Sequence, residues 1–238
     1  MQNQILKFIW MILIEKLNVF YERGKSVLKD LSVSLPEGKI HGVVGLNGSG
    51  KTTLLNTMFG LKKQDSGTIM YGDNVLNKKD IAYLVTENYF YPNITGREYL
   101  SLFKNKTFDM EKWNGLFKLP MDEIIDNYST GMKKKLAIMG NLKLDKPVMV
   151  LDEPFNGLDI EMVRGLRDIL LKLKKNGKTI IVTSHILETL TNLCDYIHYL
   201  EKGIILTTKD KSGYKSFEKE IFNAIEARNK EVINEILE

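Results

Sequence analysis

The chain has 238 residues, of which 43% are hydrophobic and 27% charged, enough apolar material for a full globular core. Its formal net charge of +4 sits mostly on scattered lysines, too mild a surplus to argue for nucleic acid as a partner. The single cysteine, Cys194, excludes an internal disulfide, fits a reducing compartment, and reads as a small core residue.

The most apolar segment, Ile5 to Ile14, contains a lysine and falls short of the roughly 20 apolar residues that span a bilayer. It lacks the basic start and small-residue cleavage site of a signal peptide, so residues 1–10 read as an extension before the first strand, with Met11 an alternative start. Met11 to Glu22 and Ser26 to Gly38 alternate and are rich in Val, Ile and Leu, which predicts two strands joined by a turn at Gly24. Lys39 to Gly45 predicts a short buried strand and Thr52 to Phe59 a helix. Gly67 to Leu76 predicts a hairpin or edge piece, and Ile81 to Val85 a further strand. From about Tyr89 to Asn141 the pattern is helical, the first helix starting near Thr95. Val148 to Glu153 is apolar on both faces, as central parallel strands are. Ile160 to Lys175 predicts a helix, Lys178 to Ser184 a buried strand, and Tyr196 to Asp210 a terminal hairpin.

Strands alternating with helices predict an α/β fold with a mostly parallel sheet and an antiparallel β piece. The stretch from about 88 to 141 interrupts that alternation and reads as an inserted α-helical subdomain. The tail, about 212–238, clusters Phe217, Ile221, Phe222 and Ile225, then Val232, Ile233, Ile236 and Leu237, which predicts an amphipathic helix broken near Arg228. Its expected partner is the domain's own surface. The whole chain, 1–238, is expected to form one domain.

Between the short strand and the helix lies GLNGSGKTT, Gly45 to Thr53. Gly45-x4-Gly50-Lys51-Thr52 matches a phosphate-binding P-loop, with a strand before it and a helix after it. Glycines let successive N–H groups turn inward into an anion nest, and the helix directs its positive end at the same point. Lys51 is placed to reach the β- and γ-phosphates of a nucleoside triphosphate, and the Thr52 hydroxyl to ligate Mg²⁺.

Asp152 and Glu153 end the apolar strand VMVLDE. An acid at the tip of a strand beside a P-loop holds Mg²⁺, usually through water, and Asp152 fits that role. Strand alternation turns Glu153 another way, where a carboxylate can deprotonate a water. Pro154 is expected to end the strand. Ser129 is an N-cap candidate for a helix with Met132, Leu136 and Met139 on one face. Lys133, Lys134 and Lys135 crowd its first turn, where the macrodipole disfavours cations, so an anion is expected to dock beside Ser129 and Gly131.

Together with NGLD (Asn156 to Asp159) and TSH ending at His185, these motifs make the chain resemble the ATP-binding cassette family, the nucleotide-binding subunits of ABC transporters. The resemblance runs from about Met11 to Lys209 and implies a P-loop NTPase core. It also implies that Gly45, Leu46, Asn47, Gly48, Ser49, Gly50, Lys51, Thr52 and Thr53 bind ATP. Tyr21 would stack on adenine, with Phe20 a weaker candidate. Two cassettes would pair head to tail, as a homodimer or heterodimer, so that Ser129 and Gly131 contact the nucleotide of the opposite subunit. Glu153 would be the catalytic base, His185 would contact the γ-phosphate, and Asp159 would lie at the dimer contact. The resemblance further implies a separate transmembrane permease subunit and a peripheral place on the cytoplasmic face of the membrane.

Two departures qualify it. The family usually has a glutamine where this chain has Thr86, followed by Glu87, and threonine is too short to reach a metal placed for glutamine. In the signature YSTGM, Tyr128 to Met132, Thr130 replaces a glycine and Met132 a glutamine. YPNITGREYL and YSTGMKKKLA look similar to subunits of bacterial exporters for lipids, drugs or small peptides. Three functions stay open: an ATPase driving an exporter, ATP-dependent work on nucleic acid or ribosomes, and a catalytically weak ATP-binding subunit. The second is disfavoured because no second cassette, long coiled coil or zinc cysteine is present.

Overall fold

The structure is a computed structural model that describes residues 11–21, 24–219, 221 and 230. Residues 1–10 and most of the tail, with its expected break near Arg228, lie outside the described residues.

The chain opens with β1 (Met11–Tyr21) and β2 (Lys25–Pro36), antiparallel partners joined at Gly24, whose φ is 75°. β1 buries alternate residues, Ile12 and Ile14, then Leu17 and Val19. The switch of face between Ile14 and Leu17 coincides with a register shift and with Lys16 at φ 47°, a bulge that keeps apolar side chains inward. β4 (Ser66–Tyr71) and β5 (Asn74–Val75) form the expected hairpin and complete a four-stranded antiparallel sheet of order β2-β1-β4-β5.

The second sheet has six strands. β3 (Ile40–Val44), β6 (Ile81–Leu84), β7 (Val148–Leu151), β8 (Thr179–Ser184) and β9 (Tyr196–Glu201) lie with β10 (Ile204–Asp210) in the order β10-β9-β3-β8-β7-β6. All pairs are parallel except β9 with β10, a hairpin. Every residue of β3, β7 and β8 is buried, which explains their unbroken apolar runs: both faces are covered. One cover is the antiparallel sheet with helix α1 (Lys51–Phe59), where Leu28, Leu54 and Met58 meet Val43, Val150 and Ile181. The other is helical: α4 (Thr130–Leu144) and α5 (Ile160–Lys175) bring Leu136, Met139 and Leu166 against Ile40, Leu151 and Ile180.

Between β6 and α4 lie α2 (Gly96–Ser101) and α3 (Met110–Phe117), shorter than the expected continuous helical stretch. α2 starts where expected, at a capping box in which Thr95 and Glu98 exchange hydrogen bonds. Asp109 caps α3, and the chain then passes Pro120 on an irregular path to Ser129, so separate caps break what periodicity alone runs together. α6 (Leu187–Thr191) follows β8. Early in the tail, Tyr214 and Phe217 are buried and Ile221 packs against the same core, in line with packing on the domain's own surface.

Because β3, β6, β7 and β8 are parallel and in register, with Val44 opposite Ser184 and Leu84 opposite Leu151, their C-terminal ends share one edge. Crevices in open α/β sheets lie at such an edge.

Candidate functional site

The loop after β3 is held tightly. A Cβ on Gly45 would lie 2.3 Å from the Leu200 carbonyl oxygen and 2.6 Å from Ser49 Oγ, so only glycine fits. Gly50, at φ 111°, occupies the N-cap of α1 and provides no side chain to cap it. The first N–H groups of α1 therefore open into the loop, as a helix does where it receives an anion. Lys51 is 8% exposed, and its ammonium donates to the Gly45 carbonyl at 2.7 Å and to the Leu46 carbonyl at 3.3 Å. Burial lowers its pKa, opposed by Glu153 and Asp152. A cleft of about 370 Å³ runs from Asn47 and Lys51 past Thr52 to Glu153 and His185.

Asp152 is the hub of the cleft. Its Oδ2 accepts hydrogen bonds from Thr52 Oγ1 at 2.8 Å and Thr86 Oγ1 at 2.6 Å, and its Oδ1 accepts from Thr183 Oγ1 at 2.6 Å. The three hydroxyls come from α1, from the chain just after β6, and from β8, so one carboxylate ties three segments together. Thr86, expected to fall short of a metal placed for glutamine, bonds the Asp152 carboxylate, because β6 pairs with β7 and sets it beside Asp152. Glu87, the next residue, accepts a 3.4 Å bond from the Tyr89 hydroxyl.

The Glu153 carboxylate has a partner of its own in the same cleft, but strand alternation is not the cause. The ladder stops at Leu151, before Pro154, and Glu153 sits in the left-handed region at φ 48°. Its N–H donates to Thr183 Oγ1 at 2.9 Å, and its Oε2 accepts from His185 Nδ1 at 3.1 Å. Thr183 thus accepts from the Glu153 backbone and donates to the Asp152 carboxylate, fixing both acids. A bulky residue at positive φ is strained, and such strain concentrates at functional positions.

Ser129 caps α4 by accepting from the Met132 N–H at 3.2 Å, as expected. A Cβ on Gly131 would approach the Gly157 carbonyl to 2.9 Å, so this glycine lets the Asn156–Asp159 loop close on α4. Of the three lysines, Lys135 pairs with Asp159 at 2.6 Å. Asp159 also caps α5, accepting from the Met162 N–H at 2.8 Å, and so has two roles inside its own chain. Tyr21 stands 44% exposed at the end of β1, with the Lys62 ammonium 4.7 Å from its ring centroid; Phe20 is also exposed. Cys194 is fully buried, and burial pushes its thiol pKa up.

The sequence shows Thr183 only as part of TSH, with no role of its own, and Lys134 only as one of three lysines at the start of α4; Lys134 is 7% exposed.

Comparison with known proteins completes the picture. The ABC transporter family model matches residues 28–156. The lantibiotic transport ATP-binding protein SrtF of Streptococcus pyogenes is 29% identical over 222 residues, 90% of this chain and 96% of its own. The AlbC ABC transporter ATP-binding protein of Bacillus subtilis is 31% identical over 77% of this chain and 84% of its own. The bacitracin transport ATP-binding protein BcrA of Enterococcus faecalis is 31% identical over 80% and 67%. Among solved structures, an ATP-binding subunit of an ABC transporter shares the fold at a TM-score of 0.78 and 24% identity, covering 87% of this chain and 93% of its own. An ATP-binding cassette captured as a dimer with ADP and phosphate shares it at 0.75 and 22%, covering 84% and 99%. The chain belongs to the ABC transporter family, as an ATP-binding cassette with a P-loop NTPase fold.

Proposed function

We propose that this cassette spends ATP to drive export of a lipid, drug or small peptide through a separate membrane subunit, working as half of a head-to-tail pair on the cytoplasmic face of the membrane. Export of such cargo is supported by the transport roles in the names of SrtF and BcrA. A separate membrane subunit is in keeping with the described residues, among which no helix is long and apolar enough to cross a bilayer. The whole chain acts as one domain, residues 88–141 being its inserted helical unit.

The observation that carries the catalytic reading is the Asp152 hub beside the Glu153–His185 contact. The N–H groups of Gly45–Thr53 grip the triphosphate, and Lys51 exchanges its carbonyl partners for phosphate oxygens. Tyr21 offers an exposed ring to the adenine. Thr52 Oγ1 and the Asp152 carboxylate are hard oxygen donors that suit Mg²⁺, which when bound would neutralise charge on the β- and γ-phosphates. Glu153 takes the proton of the attacking water, and His185 orients Glu153 and contacts the γ-phosphate. Ser129 and Gly131 face the nucleotide of the opposite subunit, and Asp159 lies at that contact. Pairing with an identical or a different cassette serves this geometry equally.

The test is ATP hydrolysis by the purified chain beside Glu153→Gln and Lys51→Ala. Glu153→Gln should retain ATP affinity and lose roughly 10²-fold or more in turnover, the scale of a general base. Lys51→Ala should lose the affinity. A Glu153→Gln variant with wild-type turnover would sink the assignment. A catalytically weak subunit is the second reading, favoured by Thr86 standing where the family has glutamine; binding without turnover in the wild type would select it.

A further inference from the structure

Beside the nucleotide cleft lies a second cavity of about 400 Å³. The two adjoin, with Thr86, Glu153 and Asn156 in both linings. The far wall of the second is the first turn of α4, with Thr130, Lys133 and Lys134. Ser129 and Gly131 are not part of this wall.

Lys134 is 93% buried, being 7% exposed, yet its one hydrogen bond among the described residues is a 3.5 Å contact to the Asp152 carbonyl. An ammonium carries three donors, so donors remain for a further acceptor, although the nearby Asp152 and Glu153 carboxylates attract its charge. Lys133 reaches only the Asp126 carbonyl, also at 3.5 Å, whereas Lys135 has a carboxylate partner. The cavity's two acids, Glu153 and Glu87, accept hydrogen bonds from His185 and Tyr89, and Glu153 also attracts the Lys134 ammonium. The cations have donors to spare, the positive end of α4 adds to them, and the opening leads to the groups that surround the γ-phosphate.

We propose that this side cavity is a subsite for orthophosphate, which receives the product cleaved in the adjoining cleft and holds it on Lys134, Lys133 and the first turn of α4 before release. The inference rests on the ATPase reading above. In that reaction the water oxygen bonds to the γ-phosphorus and the bond from the γ-phosphorus to the bridging oxygen breaks. The bridging oxygen leaves with ADP, and the water's proton passes to Glu153. In-line displacement carries the phosphorus away from the bridging oxygen and the P-loop, toward the wall that the two cavities share.

The experiment titrates inorganic phosphate into the full chain loaded with magnesium-ADP, followed by calorimetry and by ³¹P line broadening. The wild type should bind phosphate saturably. Lys134→Met should weaken it about tenfold or more, the scale of one lost charge-assisted hydrogen bond, while ADP affinity changes less than about twofold. Lys134→Arg should restore part of the affinity. Lys134→Met should melt no lower than wild type, because methionine fills the volume without a buried charge. If that variant does not fold, Lys133→Met carries the comparison, with a loss of about threefold expected. Absence of saturable phosphate binding in the ADP-loaded wild type, or unchanged phosphate affinity in the variant measured, overturns the subsite. Failure of the wild type to bind ADP would overturn the ATPase reading instead.

Discussion

Thr86 donates a 2.6 Å hydrogen bond to the carboxylate oxygen of Asp152 that also accepts from Thr52. The chain after β6 is thereby joined to the P-loop helix through a single oxygen. Thr86→Val keeps the shape and removes the donor. A net hydrogen bond of about 1 kcal/mol corresponds to roughly fivefold in rate, so hydrolysis should slow by about that factor with ATP affinity nearly unchanged. The melting temperature should fall by roughly 2–4 °C. Steady-state turnover and calorimetric melting read both; wild-type values in each would show that the bond is idle.

Gly45 and Gly48 should respond differently to alanine. At Gly45 the new methyl would collide with the Leu200 carbonyl and Ser49 Oγ, and backbone cannot yield cheaply. At Gly48 there is open space and only a φ of 78° to oppose the change, a strain of about 1–2 kcal/mol. Gly45→Ala should abolish measurable ATP binding, while Gly48→Ala should weaken it mildly. Nucleotide titration of both variants decides.

His41 and His198 form a buried relay. His41 Nε2 bonds the Pro36 carbonyl at 2.8 Å and so must donate; His41 Nδ1 then accepts from His198 Nε2 at 3.3 Å, and His198 Nδ1 accepts from the Thr208 hydroxyl at 2.8 Å. Both rings are neutral; a proton on His41 Nδ1 would set two N–H donors face to face, while one on His198 Nδ1 would make the Thr208 hydroxyl the acceptor. Burial lowers His41 to about 4 and His198 to about 3. The unfolded chain, titrating near 6.5, binds more protons below that pH, so the stabilisation is complete above it and is lost as pH falls toward 4. Between pH 7.5 and 5 each histidine should cost about 2 kcal/mol of unfolding free energy. Urea unfolding at several pH values measures this, and ¹⁵N shifts of the two rings report the tautomers; a flat profile would contradict the relay.

Cys194 should ignore thiol reagents in the folded chain at pH 8 and react fully in urea, since it is fully buried and its thiol is pushed away from ionisation. Labelling faster than global unfolding would show that the α6 region opens on its own.

Local features were legible from the residues. The helix Ile160–Lys175 and the Thr95 capping box could be read because period and caps are short-range signals. The strand order, and with it the meeting of Thr52, Thr86 and Thr183 on Asp152, could not, because those contacts span from 31 to 100 positions. Glu153's left-handed backbone leaves no local mark either: glutamate is not a residue that advertises positive φ. The burial of Lys134 was hidden too; its contact with the Asp152 carbonyl spans 18 positions, which periodicity along α4 cannot see.

The helical unit between β6 and α4 is fastened at both of its margins to one residue. Thr86 holds the Asp152 side chain at the entrance, and Lys134 touches the Asp152 carbonyl just past the exit. A rigid swing of that unit is felt first at the short Thr86 bond, the Lys134 contact being long at 3.5 Å. Any lever pulling on the residues between them therefore tugs on the same aspartate that steadies the P-loop helix, and a full nucleotide cleft resists the pull in return.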